Sequence, residues 1–374
     1  MRNICIILFL GIFTIINAQQ KQTNYSVVDI SIPTRDSIAL QGTLAIPFSF
    51  NITSPVVIFV ASPQPIDRNY NDLYSNMADS LARNGIASLR FDNRAFTDSI
   101  STKTNPDKYT MFDIADDVHD IYLWLRKDKR FTNSPIGLLG HSEGGASCAI
   151  ETSRNKDIAF LIVLSTMGLT GNEIAFYQAT LFTSYLSSES KSDERNNMVK
   201  QIYDILNIID KYPDKDSIEK HLRESLDNVL TTSPSSQKEL EELTKKIKTV
   251  SKEETIDRIL KDWMAPRKLC YIKYIPELYY SKIKCPALVI CGIDDERIEW
   301  KSNLDAIERI FIENNKQNYK IFAIEGVNHS FEETYGIKIP AFISVRKKDP
   351  HKKEWGKGFQ QLNRSIYKWI NELR

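Results

Sequence analysis

The middle third of the sequence lacks glycine. The chain has 374 residues and 14 glycines, yet none of them falls within residues 172–291. Glycine supplies the tight turns that join strands and helices in compact sheets. A long stretch without it excludes a uniform architecture along the chain. We therefore expect two unlike parts, one rich in turns and one not.

An excess of charge is also missing, since 49 Lys and Arg balance 48 Asp and Glu. Nucleic-acid binders need surplus basic residues to neutralise phosphates, so we expect no nucleic-acid partner. The 5 cysteines are too few and too scattered for a disulfide scaffold. We expect the last four of them to be buried thiols: Cys148, Cys270, Cys285 and Cys291.

Long hydrophobic runs are absent except at the start of the chain. Arg2 is followed by an apolar run over residues 4–16 and then by the small residue Ala18. This layout is typical of a secretory signal peptide, and the run is shorter than the roughly 20 residues that a spanning helix needs. We predict that residues 1–18 are removed. The mature protein would be exported, periplasmic or secreted, with no membrane span.

Strand-like and helix-like stretches alternate on both sides of the glycine-free segment. Period-two alternation over residues 25–47 predicts an antiparallel hairpin. Apolar runs of buried strands follow, separated by amphipathic stretches, at residues 56–60, 86–89, 136–139, 158–164, 287–290 and 319–324. Such repeated strand-helix units predict an α/β fold with a mostly parallel sheet. Ligands of these sheets bind at the carboxyl ends of the strands.

Narrow apolar stripes on highly charged helices characterise the glycine-free segment. One stripe is formed by Ile202, Ile205, Leu206 and Ile209. Such helices must pack on something, and we predict that residues 167–284 form a helical lid inserted into one domain made of residues 25–166 and 285–374. A coiled-coil arm is the alternative, but prolines interrupt any sustained heptad pattern.

A glycine-rich turn follows the predicted strand at residues 136–139. It reads Gly140-His141-Ser142-Glu143-Gly144-Gly145 and opens a helix of small residues. In a nucleophile elbow, a serine sits on a sharp strand-to-helix turn, where glycines two residues away avoid collisions with the neighbouring backbone. The motif in this context predicts that Ser142 is a nucleophile.

A serine nucleophile requires a base and a carboxylate that orients the base. His329 follows the predicted strand at residues 319–324, and three consecutive carboxylates follow the strand at residues 287–290. We predict His329 as the base. The residues alone leave the acid open between Asp294 and Asp295.

The motifs together resemble those of the α/β-hydrolase superfamily, and in particular its exported bacterial serine esterases and serine-aminopeptidase-like hydrolases. The resemblance covers the chain from about residue 35 to its end, apart from residues 185–260. It rests on five stretches, at residues 62–69, 90–95, 140–145, 292–295 and 328–329. The Gly-x-x-Asp spacing of that family implies Asp295 as the acid, with Asp294 second.

The loop after the strand at residues 56–60 departs from the family pattern. Ser62 and Gln64 replace two family glycines, and Pro63 between them has no backbone N–H group. The resemblance implies that the N–H groups of Glu143 and Gln64 form the oxyanion hole. Losing one donor costs about a hundred- to a thousandfold in rate, so a slow enzyme is one outcome of this departure.

The expected activity is hydrolysis of small carboxylic esters through Ser142, His329 and Asp295, without a metal or organic cofactor. Ester preference is implied only by the resemblance. An aminopeptidase-like enzyme that acts on short peptides is one alternative. A catalytically impaired binding protein that keeps the elbow is the other.

Overall fold

The computed structural model describes residues 23–102, 107–186, 192–232, 251–334 and 355–373. The predicted signal peptide, residues 1–18, lies outside them, so its removal and the export of the chain stay predictions. No helix within the described ranges is long and apolar enough to cross a membrane.

One sheet of eight strands organises the described part of the chain, in the order β1-β2-β4-β3-β5-β6-β7-β8. The first two strands form the antiparallel hairpin, and β3 to β8 run parallel to one another. This confirms the predicted α/β-hydrolase type of sheet. The strands are β1 (Tyr25–Pro33), β2 (Ala39–Pro47), β3 (Val56–Val60), β4 (Ala87–Phe91), β5 (Ile136–His141), β6 (Leu161–Leu164), β7 (Ala287–Gly292) and β8 (Tyr319–Ile324).

Both faces of the sheet are buried, which explains why the central strands read as continuous apolar runs. On β3, Val56 and Ile58 belong to one apolar cluster, whereas Val57 and Phe59 belong to another on the opposite face. Every residue of β3 to β7 is buried. The strand β6 starts at Leu161 rather than at residue 158 as predicted.

Twelve helices are described. The apolar spacing of the sequence predicts helices at about residues 72–84, 111–130 and 300–314, and the structure has one at each of these places. The second helix, which follows β4, is not among the predicted ones. The helices are α1 (Leu73–Arg83), α2 (Arg94–Thr102), α3 (Met111–Lys127), α4 (Glu143–Arg154), α5 (Gly171–Leu186), α6 (Ser192–Lys211), α7 (Lys215–Thr232), α8 (Lys252–Trp263), α9 (Pro266–Ile272), α10 (Glu277–Tyr280), α11 (Trp300–Glu313) and α12 (Lys357–Glu372).

Helices α5 to α10 lie between β6 and β7 in the chain, where the glycine-free segment is. Ten buried residues of this segment form an apolar cluster of their own, including Leu206, Leu222 and Leu260. Because β6 and β7 are neighbours in one parallel sheet, the segment is an excursion from that sheet. The division into residues 25–166, 167–284 and 285–374 stays a prediction.

Candidate active site

Ser142 occupies the turn between β5 and α4 with a strained backbone, at φ 56° and ψ −130°. Such values are rare for a residue with a side chain, and such outliers cluster at functional sites. Hydrogen bonds to residues at the end of β6 hold the turn in place. The Ser142 N–H group donates to the Leu164 carbonyl at 2.9 Å, and the Thr166 hydroxyl donates to the Ser142 carbonyl at 3.0 Å.

The three glycines of the turn are needed because the backbone passes so close to other groups. A Cβ atom on Gly144 would collide with the Val60 carbonyl oxygen at the end of β3. A Cβ atom on Gly140 would collide with the backbone of Gly144, and one on Gly145 would lie 2.5 Å from the Thr166 hydroxyl oxygen. The motif therefore brings Ser142 close to the loop that follows β3.

His329 and Asp295 form a buried pair at the ends of β8 and β7. The His329 Nδ1 atom lies 3.0 Å and 2.9 Å from the two oxygens of the Asp295 carboxylate. Burial raises the pKa of the Asp295 carboxyl, but the charge and hydrogen bond of His329 outweigh burial, so the pKa lies below its usual value. An ionised carboxylate holds Nδ1 as the donor, which leaves Nε2 of His329 with a lone pair.

The neighbouring carboxylates make other contacts. Asp294 accepts a hydrogen bond from the Thr334 hydroxyl at 2.5 Å. Glu296 accepts one from the backbone N–H group of His329 at 3.2 Å. The geometry thus brings Asp295, and not Asp294, to the imidazole.

His141 links the elbow to the base loop, a connection that the sequence did not reveal. Its Nε2 atom lies 2.7 Å from the His329 carbonyl oxygen, so Nε2 must donate. The Nδ1 atom then accepts from the Tyr70 hydroxyl at 3.0 Å. Complete burial, helped by the charge of His329, lowers the pKa of His141 to about 3. His141 is therefore neutral at ordinary pH.

Asn93, which follows β4, holds the loop after β3 in place. The amide of this fully buried side chain donates to the carbonyls of Ser62 and Gln64, both at 2.7 Å. Within the loop, the N–H group of Gln64 donates to the Ser62 carbonyl at 2.8 Å. The predicted oxyanion donor Gln64 thus has an internal partner, so its role stays a prediction.

The other predicted donor is the N–H group of Glu143, at the first position of α4. The first N–H groups of a helix have no acceptor within the helix and carry its positive dipole end. The Glu143 side chain forms an ion pair with Arg267 of α9, which also bonds Asp107 at 2.8 Å. Burial raises the pKa of the Glu143 carboxyl, and Arg267 offsets only part of that rise.

Ser142 and His329 line one cavity of about 340 Å³. That is within the range of small-molecule sites. Half of the lining residues come from the segment between residues 167 and 284, so the glycine-free part of the chain builds one wall. Sequence reasoning missed the following lining residues, and no motif marks them: Tyr70, Gln178, Trp263, Arg267 and Arg297.

Comparison with known proteins decides the family. A family model described as the alpha/beta hydrolase fold matches residues 55–330. This chain belongs to the α/β-hydrolase family. A search of curated proteins finds no match.

Solved structures are similar to this α/β-hydrolase at low sequence identity. DcsB, solved in complex with its substrate analogue, has a TM-score of 0.52 and 13% identity over 93% of this chain and 100% of its own. Dienelactone hydrolase from Anabaena variabilis has a TM-score of 0.49 and 12% identity, over 93% and 98%. Est1E from Butyrivibrio proteoclasticus has a TM-score of 0.48 and 14% identity, over 92% and 98%.

The α/β-hydrolase shows no cluster of three His, Cys, Asp or Glu side chains suited to a metal ion among its described residues. Its four described cysteines are unpaired; Cys148 and Cys291 are buried, whereas Cys270 and Cys285 are partly buried. Cys291 lies beneath the acid, with its Sγ atom 3.5 Å from Asp295 Oδ2.

Proposed function

We propose that this α/β-hydrolase cleaves carboxylic esters of small molecules through Ser142, His329 and Asp295. The observation that carries the proposal is that His329, paired with the buried Asp295 carboxylate, lines the same cavity as the strained elbow serine. A serine, a base and an orienting carboxylate are the parts of a serine hydrolase.

The proposed reaction proceeds in two halves. The Ser142 hydroxyl attacks the ester carbonyl while His329 Nε2 takes its proton, and the tetrahedral intermediate then expels the alcohol, which receives that proton. In the second half, His329 Nε2 takes a proton from water as it attacks the acyl-enzyme, and the intermediate then breaks the bond to Ser142 Oγ, which receives that proton as the acid is released. The Asp295 carboxylate stabilises the imidazolium in both halves.

The negative oxygen of the intermediate requires backbone donors. The N–H group of Glu143 is the better-supported donor, because it opens α4 next to the nucleophile. The N–H group of Gln64 joins it only if its bond to the Ser62 carbonyl lengthens. We therefore expect modest turnover rather than a fast enzyme.

Cavity electrostatics favour an ester over a peptide with a free amine. Glu143 is the one carboxylate among the described lining residues, and Arg267 already neutralises it. An aminopeptidase needs a carboxylate available to bind the substrate ammonium group. We also propose that residues 167–284 act as the lid of this cavity, since they supply half of its lining.

A panel of p-nitrophenyl esters and aminoacyl p-nitroanilides tests the proposal. We expect the wild type to hydrolyse short-chain esters and to be labelled by a fluorophosphonate, and Ser142→Ala to lose at least about a thousandfold in kcat and all labelling. Faster turnover of the anilides would favour the peptidase. A folded protein that neither turns over nor labels would be a binding protein.

Neighbouring carboxylates provide a matched control for the acid. We expect Asp295→Asn to lower kcat by about a thousandfold or more, because the wrong imidazole tautomer is then stabilised. Asp294→Asn removes the same charge one residue earlier and is expected to stay within a few-fold of wild type. The reverse order of effects would assign the acid to Asp294.

A further inference from the structure

Positive charge is concentrated in the cavity of an otherwise balanced chain. Three of its described lining residues are cationic, namely Arg267, Lys268 and Arg297, and one is anionic, Glu143. The whole chain carries a formal net charge of only +1. A cleft lined with one sign of charge attracts ligands of the opposite sign.

Two of these three cations already have carboxylate partners. Arg267 pairs with Glu143 and with Asp107, and Lys268 pairs with Asp262 at 2.5 Å. The guanidinium of Arg297, in contrast, has neither an ion-pair partner nor a hydrogen bond to any residue in the described ranges. Among the described residues, one cationic side chain at the cavity is thus left without a partner, which suits a negatively charged group of a ligand.

The backbone of Arg297 is held firmly next to the proposed triad. Its N–H group donates to Asp295 Oδ1 at 2.9 Å, and its carbonyl accepts from the Gln178 side chain of α5 at 3.0 Å. The residue is thereby fixed between the loop after β7 and the segment that forms the other wall. Its positive charge is also felt across the site, since it opposes the rise of the Glu143 pKa and adds slightly to the lowering of the His141 pKa.

The Arg297 side chain lines the cavity as an exposed residue on this held backbone, and a guanidinium suits a carboxylate. Its planar fork forms two parallel hydrogen bonds to the two oxygens, and charge-assisted bonds of this kind are about twice as strong as neutral ones. A phosphate monoester carries about −1.5 to −2 charges at neutral pH and would exceed the single unpaired cation.

We propose that the substrate is a small ester that carries a free carboxylate, and that Arg297 binds this carboxylate. The inference rests on the proposed ester hydrolysis and adds the substrate class. The carboxylate lies at the end of the acyl chain remote from the scissile bond, because Arg297 and Ser142 line the same small cavity.

The test compares two esters of matched acyl length, p-nitrophenyl hemiadipate and p-nitrophenyl hexanoate. We expect the wild type to prefer the hemiadipate in kcat/KM and the preference to decline with added salt. Arg297→Gln should lower the ratio of the two kcat/KM values by about ten- to a hundredfold, because a charge-assisted hydrogen bond is lost. Adipate should inhibit the wild type competitively and Arg297→Gln much less.

Arg309→Gln serves as the matched control, since it removes an exposed arginine of α11 that pairs with Glu313 outside the cavity. The ratio of kcat/KM for the hemiadipate to that for the hexanoate should be the same in Arg309→Gln as in the wild type. A wild-type ratio of one or below overturns the proposal, as does an unchanged ratio in Arg297→Gln. A drop of equal size in Lys268→Gln would also overturn the assignment to Arg297.

The two proposals fail in different ways. Hydrolysis of the hexanoate that is lost in Ser142→Ala, without any preference for the hemiadipate, would leave the esterase proposal intact and overturn the carboxylate site. Failure to hydrolyse either ester would instead overturn the esterase proposal.

Discussion

The side chain of His141 contributes to the site although it lies behind the proposed nucleophile. It donates to the His329 carbonyl and accepts from Tyr70, which itself has φ of 47°. A neutral imidazole with both nitrogens bonded fixes the base loop against the elbow. The histidine of the motif is therefore a positioning residue that reaches the reacting atoms only through His329.

Burial of a neutral histidine makes stability depend on pH. The folded-state pKa of His141 is about 3, far below the usual value of 6.5, so the unfolded chain binds a proton that the folded chain rejects. Stability is then complete above about pH 6.5 and declines by about 1.4 kcal/mol per pH unit toward pH 3. Asp117 opposes this trend, because burial raises its pKa from 3.8 to about 6.

Substituting His141 by glutamine isolates its contribution. We expect His141→Gln to be less stable than wild type at pH 7, because packing and the Tyr70 bond are altered. Between pH 6.5 and pH 4.5, we also expect the variant to lose about 2 to 3 kcal/mol less unfolding free energy than the wild type loses. Urea unfolding of both proteins at both pH values measures this difference. The contribution of Asp117 is the same in both proteins and therefore cancels. Equal losses in both proteins would show that His141 does not titrate on unfolding.

At the scale of single elements, the site was predictable to the extent that the ends of the strands could be located from the sequence. Strands β3 and β8 fall where the apolar runs predict them, at Val56–Val60 and Tyr319–Ile324. The parallel order of the sheet then brings the residues that follow β5, β7 and β8 to one edge. This placement, together with the glycine-rich turn, made Ser142 and His329 predictable, whereas the choice of Asp295 over Asp294 came only from the family resemblance.

Contacts between distant segments were not predictable in the same way. Arg267 reaches Glu143 from a helix 124 positions away in the chain, and neither residue type nor spacing marks the pair. Similarly, Arg297 is one of many charged residues, and only the structure shows that it lines the cavity and that its guanidinium has no partner among the described residues. Helix α2 was missed although Asn93, a residue type that favours the N-cap position, directly precedes it.

Asn93 couples two elements, the loop after β3 and the start of α2. Its amide donates to two loop carbonyls, while its oxygen accepts from the N–H group of Phe96 at 2.9 Å. Removing this side chain takes away the partner of the Gln64 carbonyl and that of the Phe96 N–H group, at about 1 to 3 kcal/mol for each group left unpaired, whereas the Ser62 carbonyl keeps the N–H group of Gln64. It also releases the loop that carries Gln64 beside the elbow.

We expect Asn93→Ala to lower both the melting temperature and kcat, the latter by about ten- to a hundredfold, with little change in KM, if the loop supports the oxyanion hole. Steady-state ester kinetics and thermal unfolding measure both effects. Asn303→Ala is the control. This asparagine is also buried, but its side-chain oxygen accepts from the N–H groups of Gly168 and Leu169, which do not belong to that loop. An equal loss of kcat in both variants would argue for general destabilisation instead.

Across the whole molecule, the segment between β6 and β7 has an apolar cluster of its own, and it also packs on α3 and α4 through Ile174 and Tyr274. Its apolar cluster includes Leu206, Leu222 and Leu260, whereas the sheet residues pack into two other clusters, which include Leu138 and Leu139. Regions with their own small core and few contacts to the rest can open while the remainder stays folded. A lid that admits substrate requires such a difference in stability.

A pair of core substitutions compares the two regions. Leu222 in α7 and Leu138 in β5 are both almost completely buried, and truncation of a buried leucine to alanine costs about 2 to 5 kcal/mol. We expect Leu222→Ala to speed amide hydrogen exchange in α6, α7 and α8 and to leave the exchange of β5 and β6 unchanged. Leu138→Ala should speed exchange throughout the sheet. If amide exchange became faster throughout the molecule in both variants, the segment and the sheet would unfold as one unit. The proposed lid would then have to admit substrate without local unfolding.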